Sequence, residues 1–233
     1  MVVLLLIASL LGGIYYLLTH YKIKEEKVYV DGNLHYTKQE IMDFVMEGPF
    51  GDNSLYLSFR YKNKSITDIP FIAAMDVTVL APDSIRISVF EKSLAGYVEY
   101  LGRYMYFDKD GIIVESSSVR TAGIPEVTGL TFDHVVVGQP LPVENKEVFY
   151  EVLTVTQSLD KYDLTAERIY FNGKGEMTLF LGDIRVAFGT NEMLDEKIIL
   201  IQSLMPKMEG MKGTLDIKNY SENTKIYTFE PAK

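Results

Sequence analysis

From Met1 to Thr19, in the opening run MVVLLLIASLLGGIYYLLTH, the chain carries no charged side chain. A helix of that length and character can cross a hydrocarbon core, and this restricts the fate of the whole chain more than any other feature. Tyr15 and Tyr16 stand near one end of the run, where interfacial aromatic residues are common. A cleavable signal peptide would need a basic start, a shorter apolar core and a small-x-small cleavage site, and none of these is clear. The expectation is an uncleaved transmembrane anchor over residues 1–20.

Lys22, Lys24 and Lys27 follow the run. By the positive-inside tendency alone they would hold the amino end outside. Glu25 and Glu26 lie among those lysines, and large domains translocate largely regardless of flanking charge. The abrupt start also leaves room for a cytoplasmic leader ahead of Met1. Charge therefore leaves the topology open.

A length of 233 residues suits one or two globular units beyond the span. The formal charge of −9, from 23 Lys+Arg against 32 Asp+Glu, comes with no basic cluster able to release counterions from nucleic-acid phosphates. Nucleic acid is thereby excluded as a partner, and the net charge also repels an anionic membrane or wall polymer. The chain has no cysteine, which removes disulfides, thiolate catalysis and the usual structural zinc sites, and fits an extracytoplasmic protein.

After the span comes VYVDGNLHYTKQEIMDFV. Val28, Tyr29 and Val30 form a β-prone run, and Asp31-Gly32-Asn33 is a turn signal. Thr37 can then cap a helix, Glu40 can close a capping box, and Tyr36 and Ile41 occupy the positions of a hydrophobic staple. Ile41, Phe44 and Val45 supply the apolar stripe. Farther on, the spacing predicts a short helical turn ending at Pro70, a strand to about Leu80, a turn at Pro82-Asp83 and a strand over residues 84–90. In the last strand Ile85, Ile87 and Val89 alternate with Arg86, Ser88 and Phe90.

This β-α-α-β-β order over residues 27–92 resembles a POTRA domain. Together with the preceding span, VDGNLHYTKQEI and PFIAAMDVTVLAPDSIRISVFEK are similar to the FtsQ/DivIB cell-division family. That resemblance implies a single span with the bulk of the chain outside the cytoplasmic membrane. It also implies a second, mainly antiparallel β domain over residues 93–231 with covering helices, so the fold class is α+β.

In the second region, GYVEYLGRYMYFDKDGIIVESS reads as a strand pair around Gly102-Arg103 followed by a turn at Lys109-Asp110-Gly111. Asp108 and Asp110 invite a calcium reading, but the glycine is misplaced for an EF-hand loop and no acidic twelfth ligand follows. GIPEVTGL and VGQPL are turn-rich connectors, similar to those after the first hairpin in FtsQ/DivIB proteins. Phe149, Val152, Leu153 and Leu159 suit a helix over residues 148–159. Leu194, Ile198, Ile201 and Met205 suit another that ends at Gly210. Between them RIYF, EMTLFL and IRVAF form a meander joined by Asn172-Gly173-Lys174-Gly175 and Gly182-Asp183. A strand follows the Gly-Lys-Gly triplet, so it is not a phosphate loop. Strands over residues 214–218 and 225–230 finish the chain, the latter stopped by Pro231. LDIK resembles the family's Asp-apolar-Arg segment with Lys218 in place of Arg, which would lose any bidentate contact.

His20, His35 and His134 have no partner pattern for catalysis or metal binding and are expected to be solvated, and no cofactor is implied. The carboxylates Glu25, Glu26, Asp31, Glu40, Asp43 and Glu47 read as solvated surface. The last strand offers a different kind of site. An edge strand presents unpaired backbone N–H and C=O groups, which an extended partner segment can pair with. Tyr227 and Phe229 share one face of it, Ile226 and Thr228 the other, and the alternative is that the two rings pack on the core. The resemblance implies that this carboxy-terminal edge binds the small bitopic division proteins, FtsL-like and DivIC/FtsB-like. The candidate residues are Tyr227, Thr228 and Phe229, with Ile226, Tyr220 and Lys218 beside them. The expected function is a non-enzymatic divisome scaffold. A POTRA-type polypeptide-transport module and an anchored cell-wall hydrolase are the rivals.

Overall fold

The computed structural model describes residues 1–221 and 223–232, which form two compact units, Met1–Lys92 and Ser93–Lys233. The first begins with α1, Val2–His20, none of whose side chains is buried by the rest of the chain. It is long and apolar enough to cross a membrane; at about 1.5 Å per residue it reaches roughly 28 Å.

After a 3-10 turn over Glu25–Lys27 come β1 (Val28–Asp31), α2 (Lys38–Val45), α3 (Ser54–Arg60), β2 (Ile72–Ala81) and β3 (Ser84–Glu91). The sheet order is β1-β3-β2, with β1 parallel and β2 antiparallel to the central β3. A parallel neighbour needs a crossover, and the two helices supply it. The capping box forms: the Glu40 amide donates to Thr37 Oγ1 (3.3 Å) and the Thr37 amide to the Glu40 carboxylate (2.8 Å). Ile41, Met42 and Val45 enter the core with Ile85, Ile87 and Val89.

Two details differ from the sequence reading. Met42, not Phe44, completes the buried stripe; Phe44 lies on the flank of α2, edge-on to the Tyr36 ring at 5.3 Å. The second helix is α3, capped by Asn53 Oδ1, which accepts from the Tyr56 amide (3.0 Å). The segment before Pro70 is not helical, because Ile66 exchanges both backbone bonds with Met75 of β2 (2.9 and 2.8 Å); a tight turn closes at Pro70 itself, the Ile72 amide donating to the Ile69 carbonyl (3.1 Å). His35 is also not fully solvated. Its ring stacks on Phe71 at 4.4 Å, and Nδ1 lies 3.5 Å from Glu91.

Asp83, in the β2–β3 turn, accepts from Lys27 Nζ at 2.6 Å and has Lys24 Nζ at 3.3 Å. The Lys27 bond, more than the charge of either lysine, holds its carboxyl below the ordinary value. A depressed folded-state value stabilises the fold above the unfolded pKa, and this contribution is lost as pH falls through the folded one. Asp83→Asn is therefore expected to flatten the acid limb of the melting temperature against pH. An unchanged acid limb would show that the pair contributes nothing.

The second unit is built on a nine-stranded sheet. In chain order its elements are β4 (Gly96–Tyr100), β5 (Arg103–Phe107), β6 (Ile113–Ser117), β7 (Glu126–Thr128), α4 (Lys146–Lys161), β8 (Arg168–Phe171), β9 (Met177–Leu181), β10 (Ile184–Gly189), α5 (Leu194–Leu204), β11 (Gly213–Asp216) and β12 (Thr228–Pro231). The spatial order is β12-β11-β10-β9-β8-β7-β4-β5-β6. The segment expected to be a connector thus contains β7, which pairs in parallel with both β4 and β8 and joins the antiparallel β4-β5-β6 group to the strands from β8 to β12 in one sheet. Gly129 follows with φ +87°, and a Cβ there would lie 1.8 Å from the Phe171 carbonyl oxygen, so only glycine fits.

Helices α4 and α5 cover the sheet with Val152, Val155, Leu159, Ile198 and Ile201. The second helix ends earlier as an α-helix than its apolar spacing implied. It tightens to a 3-10 turn over Met205–Met208, where Pro206 has no N–H to donate. Asp108 closes the β5–β6 turn, its Oδ1 accepting from the amides of Asp110 and Ile112 (2.9 Å each).

Lys197 of α5 is only 1% exposed. Its Nζ donates to the carbonyls of Phe188 (3.1 Å) and Thr190 (3.0 Å) and stands 5.0 Å from the centre of the Phe188 ring. Burial pulls its pKa below the ordinary lysine value.

Candidate functional site

The carboxy-terminal edge is set by β11. Gly213 to Asp216 runs parallel to β10, and β12 then pairs antiparallel to β11 with Leu215 opposite Phe229 and Asp216 opposite Thr228. Gly213 permits this. A Cβ at that position would lie 2.3 Å from the Glu230 carbonyl oxygen and 2.8 Å from Phe229 Cζ. Phe229 packs partly buried against the core of the unit, as does Tyr220.

The register decides which backbone groups face outward. The Ala232 amide donates to the Lys212 carbonyl (2.8 Å), which makes that pair a hydrogen-bonded one. Antiparallel pairs alternate between bonded and non-bonded. Thr228 and Glu230 therefore turn their backbone groups toward β11, while Phe229 and Pro231 turn theirs away. Pro231 lacks an N–H, so the bond missing at that point is one the sheet never required. The open edge of β12 thus offers the N–H and C=O of Phe229 and the C=O of Pro231.

The sequence-predicted residues divide accordingly. Thr228 and Phe229 lie in the strand, Thr228 exposed and Phe229 anchoring it. Tyr227 (46% exposed) and Ile226 (62%) precede it. The last strand is thus shorter at its start than expected and includes Pro231 rather than stopping before it. Packing on the core holds for Phe229 and not for Tyr227. Lys218 pairs with Asp216, its Nζ 3.4 Å from Oδ2 and its amide donating to Oδ1 (3.0 Å). The same register would set Lys218 opposite Ile226, but the ladder stops at Asp216 and Thr228. Ser221 and Thr224 exchange backbone bonds (3.0 and 3.1 Å) between the two. Gly213 and Pro231 are the positions that sequence reasoning missed as parts of the edge. A proline inside a strand is itself a signal for an edge.

A second surface feature is a cleft of about 440 Å³ beside the start of α4, with Glu144, Glu147, Glu151 and Lys174 among its lining residues. Burial pushes the Glu151 carboxyl up, and the Glu147 charge adds to the shift. Among the described residues no group of three or more His, Asp or Glu side chains is placed to hold a metal ion.

No protein-family model matches the chain. It is similar to the cell division protein DivIB of Clostridium botulinum, 21% identical over 218 residues that cover 87% of this chain and 80% of that protein. DivIB of Clostridium acetobutylicum is 21% identical over 176 residues, 72% of this chain and 68% of that protein. Cell division protein FtsQ of Koribacter versatilis is 23% identical over 107 residues, 45% of this chain and 30% of that protein. These similarities are low in identity and support the resemblance to the FtsQ/DivIB family; the two to DivIB extend over most of the chain, the one to FtsQ over less than half of it.

Proposed function

We propose that the chain is a non-enzymatic scaffold of the divisome, anchored through residues 1–20, with a POTRA module over residues 27–92 and a partner-binding β domain over residues 93–231 outside the cytoplasmic membrane. It holds FtsL-like and DivIC/FtsB-like proteins and links their recruitment to peptidoglycan synthesis at the septum. The observation that carries this reading is the β12 edge. Its outward Phe229 N–H and C=O can pair with an extended segment, and the exposed Tyr227 ring can cover that segment's side chains. Anchoring raises the local concentration of partners, so contacts that are weak one by one add to a stable assembly.

The test is binding of the chain in nanodiscs to the extracytoplasmic segments of FtsL-like and DivIC-like partners. Tyr227→Lys changes an exposed ring and leaves the Phe229 anchor in place, so it should keep the fold and weaken binding about tenfold or more, as loss of an interface aromatic worth ~1.4 kcal/mol does. Wild-type affinity in the folded variant would sink the Tyr227 edge, and no binding by the wild type would sink the partner assignment. The hydrolase reading draws on Glu151 and Glu147 in their cleft. It requires wall fragments to be released in a Glu151-dependent way, whereas the scaffold reading expects none with either wild type or Glu151→Gln.

A further inference from the structure

No free stretch of chain separates α1 from the core of the first unit. Every residue from Tyr21 to Lys24 is held. The Tyr21 carbonyl accepts from the Ser54 amide (2.9 Å), Lys22 pairs with Asp52 (3.4 Å), the Ile23 amide donates to the Asp52 carbonyl (2.7 Å) and the Lys24 amide to the Asp83 carbonyl (3.2 Å). The Ile23 side chain is itself part of that core. The 3-10 turn over Glu25–Lys27 then leads into β1, and the Lys27 carbonyl accepts from Ser84 Oγ (3.0 Å).

These contacts fix the point at which the helix meets the unit, and a single point of attachment is a pivot. Direction needs a second point farther along α1, and Asn53 supplies it. The residue is buried. Its Oδ1 accepts from the Tyr56 amide at the start of α3 (3.0 Å), and its Nδ2 donates to the Leu17 carbonyl in the last turn of α1 (3.0 Å). A helix leaves N–H groups unmet at its start and C=O groups unmet at its end. A carboxamide carries an acceptor and a donor on one carbon, so it meets one of each, and only in this orientation. An ionised aspartate would cap α3 equally well but has nothing to donate to Leu17. The bridge does not stand on a loose loop. The neighbouring Ser54 is fully buried, and its Oγ donates to the Pro82 carbonyl in the β2–β3 turn.

We infer that Asn53 couples the direction of α1 to the first unit, so that the span and the unit turn as one body. This goes beyond the scaffold reading and rests on α1 being a span. A flexible tether would let the unit present each of its faces to its neighbours in turn. A coupled span presents a fixed set of faces, and whatever turns α1 in the bilayer turns the unit with it. Asn53 is thus a positioning residue: it acts through the Leu17 carbonyl on the orientation of everything from β1 to β3.

The chain has no cysteine, so two introduced cysteines carry spin labels at chosen places alone. Leu10→Cys lies in α1 and Phe90→Cys late in β3, both at exposed positions. Phe90 stands roughly 20 Å along β3 from Ser84, so a swing at the joint is magnified there. Double electron–electron resonance on the full chain in nanodiscs reads the spread of the distance between the labels. The expected result is one narrow distribution with Asn53 in place and a broad one with Asn53→Asp, while the Tyr56 amide keeps its protection from hydrogen exchange. Two glycines inserted after His20, which leave Asn53 and α3 untouched, should give a broad distribution as well. A broad distribution with Asn53 in place overturns the coupling, as does a narrow one after the insertion. A narrow one in Asn53→Asp removes Asn53 from it. Loss of Tyr56 protection in Asn53→Asp also overturns its role, because the residue would then hold α3 rather than aim α1. The Leu10 label should meet oxygen dissolved in the bilayer and not an aqueous nickel chelate; the reverse overturns the span beneath the inference. No partner is present, so failure here leaves the scaffold reading standing, and failed partner binding leaves the coupling standing.

Discussion

In a chain carrying Gly213→Val, β12 is expected to leave the sheet while the strands before it stay paired, and binding at the carboxy-terminal edge is lost with it. The new Cβ would meet the Glu230 carbonyl oxygen at 2.3 Å, Phe229 Cζ at 2.8 Å and Pro231 Cα at 3.0 Å. Two of those atoms are backbone and cannot swing aside as the tip of a flexible side chain can. Overpacking of this kind costs about 1–3 kcal/mol, and β12 has little to set against it. Its ladder is four residues long, and only Phe229 anchors it on the core. At 1.4 kcal/mol per factor of ten, local opening should rise roughly ten- to hundredfold. Hydrogen exchange reads this directly. The amides of Thr228, Glu230 and Ala232, which face β11, should lose protection by that factor, while those of Leu179 and Val186 in the middle of the sheet keep theirs. Retained protection at the three edge amides would remove Gly213 as the device that seats the strand. Loss of protection across the whole sheet would show that β12 is not separable from the core.

Legibility followed the distance between the residues that make a feature. The Thr37–Glu40 capping box spans three residues, and both halves of it stand in the sequence as they do in space. The alternation of Ile85, Ile87 and Val89 and the glycine turns of the β8–β10 meander are equally local, and each folds as read. By contrast β7 is three residues long, too short for alternation to register. It exists because Glu126 pairs with Tyr97 on one side and Arg168 on the other. Asn53 caps α3 with no capping-box glutamate three residues on, so its signal is weaker than that of Thr37, and Pro70 marks a turn that lies after the helix. At the candidate edge the residue types were legible but their directions were not. Whether Pro231 breaks a strand or sits harmlessly in one depends on which way its nitrogen faces, and that is decided by the register with Gly213.

Lys197→Ala is expected to destabilise the second unit by about 2–4 kcal/mol, the range for removing a long buried side chain. A lysine on a helix ordinarily lies in water, but here the stem fills space beneath α5 and the ammonium is bonded to the carbonyls of Phe188 and Thr190. Truncation leaves a cavity and strips a donor from both carbonyls at once. Lys197→Met separates these effects, because it keeps the stem, abandons the two bonds and ends the desolvation of the charge. Its loss should be nearer 1 kcal/mol, since the relief of desolvation offsets much of the hydrogen-bond loss. The two variants also differ in their pH dependence. Burial lowers the folded-state pKa of Lys197 below 10.5, so between those values the unfolded chain holds a proton that the folded chain has released. Stability of the wild type must therefore gain a rising contribution with pH across that window, and Lys197→Met must lack it. Urea unfolding of the second unit at pH 7 and at steps toward 10.5 measures both quantities. Equal losses for the methionine and alanine variants would mean that the bonds to Phe188 and Thr190, not the filled volume, hold α5 to the end of β10. Parallel pH profiles for wild type and Lys197→Met would mean that the ammonium keeps its ordinary pKa in place.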